Sequence, residues 1–597
     1  MSAIFAGPLL GLCLALAPAT PAFALEEVSV FVAGDDGTLQ EALEAASLSM
    51  SVLERDNAGD ATVREVLAAA LADYGRMTEA LYAQGHYGGV VKIKVDGREA
   101  VAIPPFSPPS RIDRISISVS PGPVFRFSRA DVTPMAPQGA LPDGFKRGEV
   151  AQSTLVQQAL DGAADGWRDA GYAKVALTAQ RLTANHADRT LAVSLALNPG
   201  PKVRFGKLIQ TSESGVRAAR IQRIAGLPEG EVFSPETLRK VATRLRRTGA
   251  FASVALSEGE TLRDGNVMDI GLALVDETPR RFGAGAELSS IEGVTLTGFW
   301  LHRNFLGGAE RFRVDGEVAG IGSPSGEDFR LSARLDQPAT FGPDTGGFLL
   351  AKLSYEDEPG FISRKAELGG GVTRIFSDSL EGEIGVGLSY SETTDFQGER
   401  RFFLMTLPGA LTWDRRDDEL NPASGFYLRA EATPFVSLDT GGAGASAYLD
   451  GRAYRAFGDR FVLAGRAQVG TVLAANGSDI PPDFLFYSGG GNSVRGQPYK
   501  SLGIAQGADL TGGQAYLAVS AELRAEITDT IGVVGFFDMG HIGETGFFDR
   551  EDTWHSGAGL GLRYQTPIGP LRLDVGLPVT GDTGDGVQVY LGIGQAF

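Results

Sequence analysis

Arg495 is the residue of this sequence whose setting most clearly asks for chemistry. It stands in Phe484–Gly503, FLFYSGGGNSVRGQPYKSLG, behind three consecutive glycines, between Val494 and Gly496, and ahead of Pro498 and Tyr499. A solvated tether has no use for a guanidinium set among glycines and aromatics, so the pattern predicts a loop folded back into a cavity. In a cavity a guanidinium does ion-pair chemistry, because its planar fork takes two carboxylates at once. Two carboxylates of suitable phase lie downstream, Glu522 in Leu517–Glu526 and Asp538 in Gly535–Gly540. Each lies in an alternating segment, and adjacent strands would turn both acids inward as the partners a buried charge needs. Val494, Arg495, Gly496 and Tyr499 are therefore read as a latch, with Glu522 and Asp538 as its partners.

Other chemistries find little support. His86, His186, His302, His541 and His555 are scattered without metal-ligand spacing, and no G-x-S-x-G elbow or Ser/His/acid arrangement is visible. The glycine pairs fit no strand–loop–helix phosphate cradle. Asp582-Thr583-Gly584-Asp585 has the look of a calcium loop but lacks the distal glutamate, and reads as an outer loop. The expectation is a protein without turnover chemistry, cofactor or metal. A formal net charge of −19 argues against non-specific nucleic-acid binding.

The elements that position the latch begin with the N-terminus. Met1–Ala24 has an apolar run from Leu9 to Leu16 and ends in Ala22-Phe23-Ala24, which reads as a secretory signal, although no Lys or Arg precedes the apolar run. Cys13, the one cysteine of the chain, would leave with it. Beyond the signal no stretch approaches the roughly 18 apolar residues of a transmembrane helix. A membrane-spanning form would then have to be a closed barrel, the other way to satisfy every backbone group in lipid.

Three segments upstream share one plan. Pro121-Gly122-Pro123 precedes Arg126-Phe127, Pro199-Gly200-Pro201 precedes Arg204-Phe205, and Pro279 precedes Arg281-Phe282, with the phenylalanines 78 and then 77 positions apart. Before each mark lie a helical segment, a glycine-aromatic turn (Gly85-His86-Tyr87, Gly171-Tyr172, Gly249-Ala250-Phe251) and two strands. A fixed period of this size signals tandem small domains. In the third, Pro235 opens a helix whose Leu238, Val241, Ala242 and Leu245 share one face. Its helices carry Arg217, Arg220, Arg223, Arg239, Lys240, Arg244, Arg246 and Arg247, a bias that suits either an anionic membrane surface or a solvated face. The expected boundaries are 1–24 for the signal, 25–120, 121–200 and 201–278 for α+β domains, and 279–597 for the C-terminal region.

From Phe282 onward the period becomes two. Roughly sixteen alternating segments, separated by Gly, Asp, Asn and Pro clusters and by alternately short and long connections, have the spacing of an antiparallel outer-membrane barrel. In the last segments Leu560, Leu562 and Tyr564 oppose Gly559, Gly561 and Arg563, and Leu571, Leu573 and Val575 oppose Arg572, Asp574 and Gly576. The fold class read from the sequence is α+β tandem domains followed by an all-β transmembrane barrel.

With these motifs in view, the upstream repeats resemble the polypeptide-transport-associated (POTRA) domain in their β-α-α-β-β plan and glycine-aromatic turn. The C-terminal half resembles the BamA-like superfamily of barrel-forming insertases. The matching residues are Val494-Arg495-Gly496, Gly535-Phe536-Phe537-Asp538-Met539-Gly540, Gly559–Tyr564 running into Thr566–Asp574, and the ending Gly592-Ile593-Gly594-Gln595-Ala596-Phe597. Three repeats make the chain similar to the TamA branch of that superfamily. The family has an aromatic directly after the loop glycine; here that position is Gln497, and the nearest aromatic is Tyr499.

The resemblance implies a barrel in the Gram-negative outer membrane, among its lipids, with the repeats in the periplasm. It also implies a sideways-opening seam between the first and last strands, about 282–290 and 586–597, with Phe282, Gly592, Gly594 and Phe597 as seam residues. The implied clients are unfolded outer-membrane proteins such as autotransporters, and the implied partner is a TamB-like inner-membrane-anchored protein. A pore for one dedicated exoprotein, or lipid transfer between membranes, stands as the alternative.

Overall fold

The computed structural model describes residues 25–34, 37–56, 61–289, 293–323, 326–474, 476–507, 509–549, 554–567, 569–581 and 586–597. The expected signal at 1–24 and the acidic tetrad at 582–585 lie outside the described residues, as does position 290 of the expected seam. The chain divides into two compact units. One holds the described residues up to Arg204 with 230–236 and 263–267; the other holds 205–229, 237–262 and 268 onward.

In the first unit, strand Glu27–Val32 lies parallel to Arg114–Ser120, which also pairs with Val90–Val95. Helices Thr38–Ala46, Leu48–Asp56 and Val63–Ala83 cover this sheet. The longest starts at a capping box, in which Thr62 and Glu65 satisfy each other's free backbone N–H groups. It buries Val66, Leu67, Ala70, Met77 and Leu81 at helical spacing against Ile93, Ile115 and Ile117 of the sheet. The same helix sends a fully buried Asp73 to the start of its neighbour. That carboxylate accepts from Ser47 Oγ at 2.8 Å and from the backbone N–H groups of Leu48 (2.7 Å) and Ser49 (3.0 Å). Asp73→Ala strands three donors, two of them on buried residues, and a loss of about 2–4 kcal/mol is expected. Urea unfolding followed by proteolysis within 38–83 measures it, and an unchanged midpoint refutes the assignment.

The next domain departs from the two-helix plan. Between strand Arg126–Thr133 and helix Ser153–Asp169 the chain is irregular through Pro134, Pro137 and Pro142. Prolines that close together cannot continue a helix, so this domain is β-α-β-β. Its sheet has Thr190–Asn198 in the centre, parallel to Arg126–Thr133 and antiparallel to Ala176–Asn185.

In the second unit, helix Pro235–Arg247 buries Val241, Ala242 and Leu245, the face read from the sequence. The basic residues of this region have a specific use. Arg244 grips Asp344 through Nε (3.1 Å) and Nη2 (2.6 Å), and Arg247 adds a bond at 2.8 Å. Arg220 and Arg223 donate to the carbonyls of Pro338 and Thr340, and Arg217 pairs with Glu310 at 3.6 Å. Asp344 and Glu310 sit on connections between barrel strands, and Pro338 and Thr340 lie near the end of strand Asp328–Gly342. These five arginines are thus joints to the barrel, whereas Arg246 donates to the Val254 carbonyl within its own domain. Gly226, at φ +57°, lets Pro343 approach to where a Cβ would stand.

The hydrogen bonds from Arg244, then those from Arg247, hold the Asp344 carboxyl below its ordinary pKa. A depressed carboxyl contributes its stability above its ordinary pKa and loses it as pH falls through the depressed value. Amide-exchange protection factors in Pro235–Arg247, corrected for the intrinsic slowing of exchange at lower pH, should therefore fall on acidification in the native protein and much less in Asp344→Asn.

Sixteen antiparallel strands close the barrel, from Arg280–Ser289 to Gln588–Ile593. The eighth has two halves, Gly398–Thr406 and Gly409–Asp414, both between Leu380–Asp395 and Gly425–Ser437; Pro408, with no N–H to donate, interrupts it. Alternation sets the faces. Along Ile531–Gly543 (strand 13), Ile531, Val533 and Phe537 point out, while Val534, Phe536 and Asp538 are buried inside. The first strand pairs with the second, Gly293–His302, over ten positions, but with the last only at Leu288↔Leu591 and Ser289↔Tyr590 among the described residues.

Candidate functional site

The segment between Phe461–Ala474 (strand 11) and Ala515–Glu526 (strand 12) folds back into the barrel and carries Arg495 to its inner wall. Three carboxylates meet the guanidinium. Nε donates to Asp538 Oδ2 at 2.7 Å and Nη2 to Oδ1 at 3.0 Å, a two-pronged pair. Nη1 donates to Glu522 Oε1 at 2.6 Å and approaches Asp574 Oδ2 at 3.4 Å. The guanidinium carbon lies 3.8 Å from the centre of the Phe536 ring. The backbone N–H of Arg495 also donates to Asp538 (3.1 Å), and that of Gly496 to Tyr590 Oη (3.1 Å).

The strands dictate this convergence. Glu522 stands opposite Phe536 in the register of strands 12 and 13, with Asp538 one step diagonally beyond. Asp574 comes from Leu571–Thr580 (strand 15), opposite Gly561 of Trp554–Tyr564 (strand 14). Two further arginines share the acids. Arg524 donates to Glu522 at 2.9 Å, and Arg563 donates to Asp574 at 2.5 Å. Three cations thus face three anions, and every carboxylate is at most 1% exposed, so water compensates none of them.

The backbone of the latch fits a hollow made by glycines. A Cβ on Gly557 would meet the Arg495 carbonyl, and one on Gly576 would come within 2.8 Å of the Gly496 nitrogen. On Gly559 it would strike the Phe536 ring, and on Gly561 the Asp574–Arg563 pair. Gly496 itself has φ +91° and no room beside Leu577. The alternation of glycines on the inward face of strand 14 was the signal in the sequence for this hollow. Asp574 was legible as inward-facing but not as a third partner of Arg495.

The remaining latch residues divide. Val494 is buried against the wall. Tyr499 is carried to the opposite side of the barrel, where its hydroxyl donates to Glu358 Oε1 at 3.0 Å, beside the 2.6 Å Lys500–Glu358 pair. Glu358 ends strand 5, Thr345–Glu358, so the loop spans the lumen from strands 12–15 to strand 5. Gln497 is fully buried, and its amide donates to the carbonyls of Ser556 (2.7 Å) and Thr580 (3.0 Å). It does by hydrogen bonding what an aromatic would do by packing. Gln497→Leu removes both hydrogen bonds and is expected to cost about 1–3 kcal/mol, read as a lower unfolding midpoint. A midpoint unchanged or raised rules this role out.

Of the residues expected at the seam, Phe282 is on the first strand, 73% exposed on the outer wall. Gly592 lies in the last strand, but the chain leaves that strand at Gly594, φ +89°, whose N–H donates to Pro570 O. The placement of Phe597 in the seam is therefore corrected. Its ring is buried against Tyr454 and Ala464, and Arg524 Nη2 donates to its carbonyl at 3.0 Å. A buried arginine already committed to Glu522 draws the end of the chain inward.

A model of the Omp85 superfamily domain matches residues 304–597, the stretch that holds the loop, its three carboxylates and the last strand. The barrel is similar to the Omp85 superfamily domain over that stretch. Two curated relatives named outer membrane protein assembly factor BamA are similar across both halves. The protein from Nitratidesulfovibrio vulgaris is 24% identical over 70% of this chain and 53% of its own length, and that from Neorickettsia risticii is 22% identical over 66% and 55%. The chain thus spans about half the length of these relatives. The crystal structure of Haemophilus ducreyi BamA lacking POTRA domains 1-3 superposes with a TM-score of 0.62 at 16% identity, covering 79% of this chain and all of that one, which shows a common fold. The barrel is an outer-membrane barrel, and the α/β, POTRA-like domains ahead of it are periplasmic.

Proposed function

We propose that this Omp85-like barrel inserts or translocates β-rich outer-membrane proteins, autotransporters among them, by offering strand edges at a seam that opens sideways. One observation carries the reading. Ten residues of the first strand pair with the second, while two pair with the last among the described residues, so Arg280–Glu287 present backbone groups that the last strand does not use. An unpaired edge templates another strand, a hazard in a soluble protein and a tool here. The naming of two relatives as assembly factors supports the same reading. A dedicated secretion pore fits less well, because the loop spans the lumen between the Arg495 and Glu358 anchors. No step needs turnover chemistry, metal or cofactor.

The finer reading places this chain in the TamA branch, with its periplasmic domains contacting a TamB-like partner anchored in the inner membrane. Its support is the three-repeat plan. The test of the function is reconstitution: the full-length protein in liposomes should accelerate folding of a urea-denatured β-barrel client by about tenfold or more, which is ~1.4 kcal/mol off the barrier. A rate equal to empty liposomes overturns the reading. Crosslinking the membrane-resident protein in intact envelopes tests the branch, and recovery of no large inner-membrane partner removes it.

A further inference from the structure

We propose that Arg572 and Glu287 form a clasp that holds the seam shut from inside the barrel, and that position 592 is glycine so that the clasp can pass over the last strand. The proposal adds a closing device to the seam reading above and rests on it.

Arg572 is the second residue of strand 15 and Glu287 lies near the end of strand 1, 285 positions apart in sequence. Arg572 Nη2 donates to Glu287 Oε1 at 3.1 Å. Between them runs the last strand. Arg572 stands opposite Gly592 in the register of strands 15 and 16, and the pair Leu288↔Leu591 brings Glu287 level with the same glycine. The three residues therefore form one inward-facing row across three strands. Adjacent strands are about 4.8 Å apart, so the two charged residues bridge roughly 10 Å of backbone. Both long side chains are needed for that span.

The middle of the row must be bare. A Cβ on Gly592 would lie 3.2 Å from Arg572 Nη2 and 3.5 Å from Nε, so the guanidinium rests on the glycine. The role of this glycine is clearance for a side chain, rather than only the ease of bending a glycine gives a strand. Arg572 also donates to the Gln595 carbonyl at 3.3 Å, and so holds the inward turn after Gly594. Its partner end is open: the Glu287 side chain is 58% exposed to the lumen while that of Arg572 is 14% exposed. One end is thus fixed and the other is screened by water and salt, as a contact that must release requires.

The clasp adds one row directly beyond the two backbone pairs of the seam. Outward rotation of the last strand breaks it and leaves Glu287 and Arg572 facing whatever strand enters. The device is reversible because it is electrostatic.

The test is disulfide formation between Leu288→Cys and Leu591→Cys, which the register places opposite each other, in a Cys13→Ser background. It is measured on the resting full-length protein in membranes with no client present, after heat-modifiability has confirmed a folded barrel. With the clasp intact, oxidation should crosslink most molecules within minutes. Glu287→Gln and Arg572→Ala should each slow crosslinking severalfold, Gly592→Val should match them, and 1 M salt should slow the native pair but not the variants. Exchanging the charges, Glu287→Arg with Arg572→Glu, should restore at least half the native rate. Equal rates in the native and Glu287→Gln proteins overturn the clasp, as does an exchange variant no faster than the single ones. Should Arg572→Ala not fold, Glu287→Gln and Gly592→Val still decide the matter. A failed clasp with intact client folding removes only this device, whereas a failed reconstitution with normal crosslinking removes the proposed function.

Discussion

Arg495→Ala should release the loop from the barrel wall and lower barrel stability by about 3–5 kcal/mol, the usual cost of removing one partner from a buried ion network. The size follows from charge balance. Arg524 and Arg563 would remain to face Glu522, Asp538 and Asp574, in a site where each carboxylate is at most 1% exposed. One negative charge would be left with neither water nor cation. Arg495→Lys should recover little, because an ammonium cannot reproduce the two-pronged bond to Asp538 while also reaching Glu522. Removing charge on both sides, with Arg495→Met, Glu522→Gln and Asp538→Asn together, should recover part of the stability and so separate lost charge compensation from lost packing on Phe536. Unfolding midpoints in detergent and protease cleavage within Phe484–Gly503 read the two effects. A native midpoint and a protected loop in Arg495→Ala would sink the latch.

Locking the seam should abolish insertion. Oxidised Leu288→Cys/Leu591→Cys replaces two backbone pairs by a covalent bond at the place where strand 1 and strand 16 meet. If clients add to the free edge of strand 1, client folding in liposomes should fall to the rate of empty liposomes and return fully on reduction. That is a loss of about ten-fold or more, on the scale set by ~1.4 kcal/mol for each factor of ten. The reduced protein is its own control, since the barrel, loop and periplasmic domains are identical in both states. Equal insertion by oxidised and reduced protein would rule out lateral opening and return attention to the lumen.

By itself the sequence determined the class of fold and the phase of the barrel wall. A period of two fixes which side chains share a face, and a slip of one residue would turn the whole strand over. Glu522, Asp538, Arg563, Arg572 and Asp574 were therefore legible as inward, and Arg495 as a charge that needed two of them. Their choice of partners was not legible. It depends on which strands neighbour each other and how far a loop reaches, distances set across 27 to 285 positions of chain. Tertiary structure alone brought Asp574 to the latch, turned Phe597 into the lumen, and gave five arginines of the third domain to the barrel. Gly592 shows the division most clearly. Its lack of a side chain is plain in the sequence, but only the arrival of Arg572 over it, on the way to Glu287, supplies the reason.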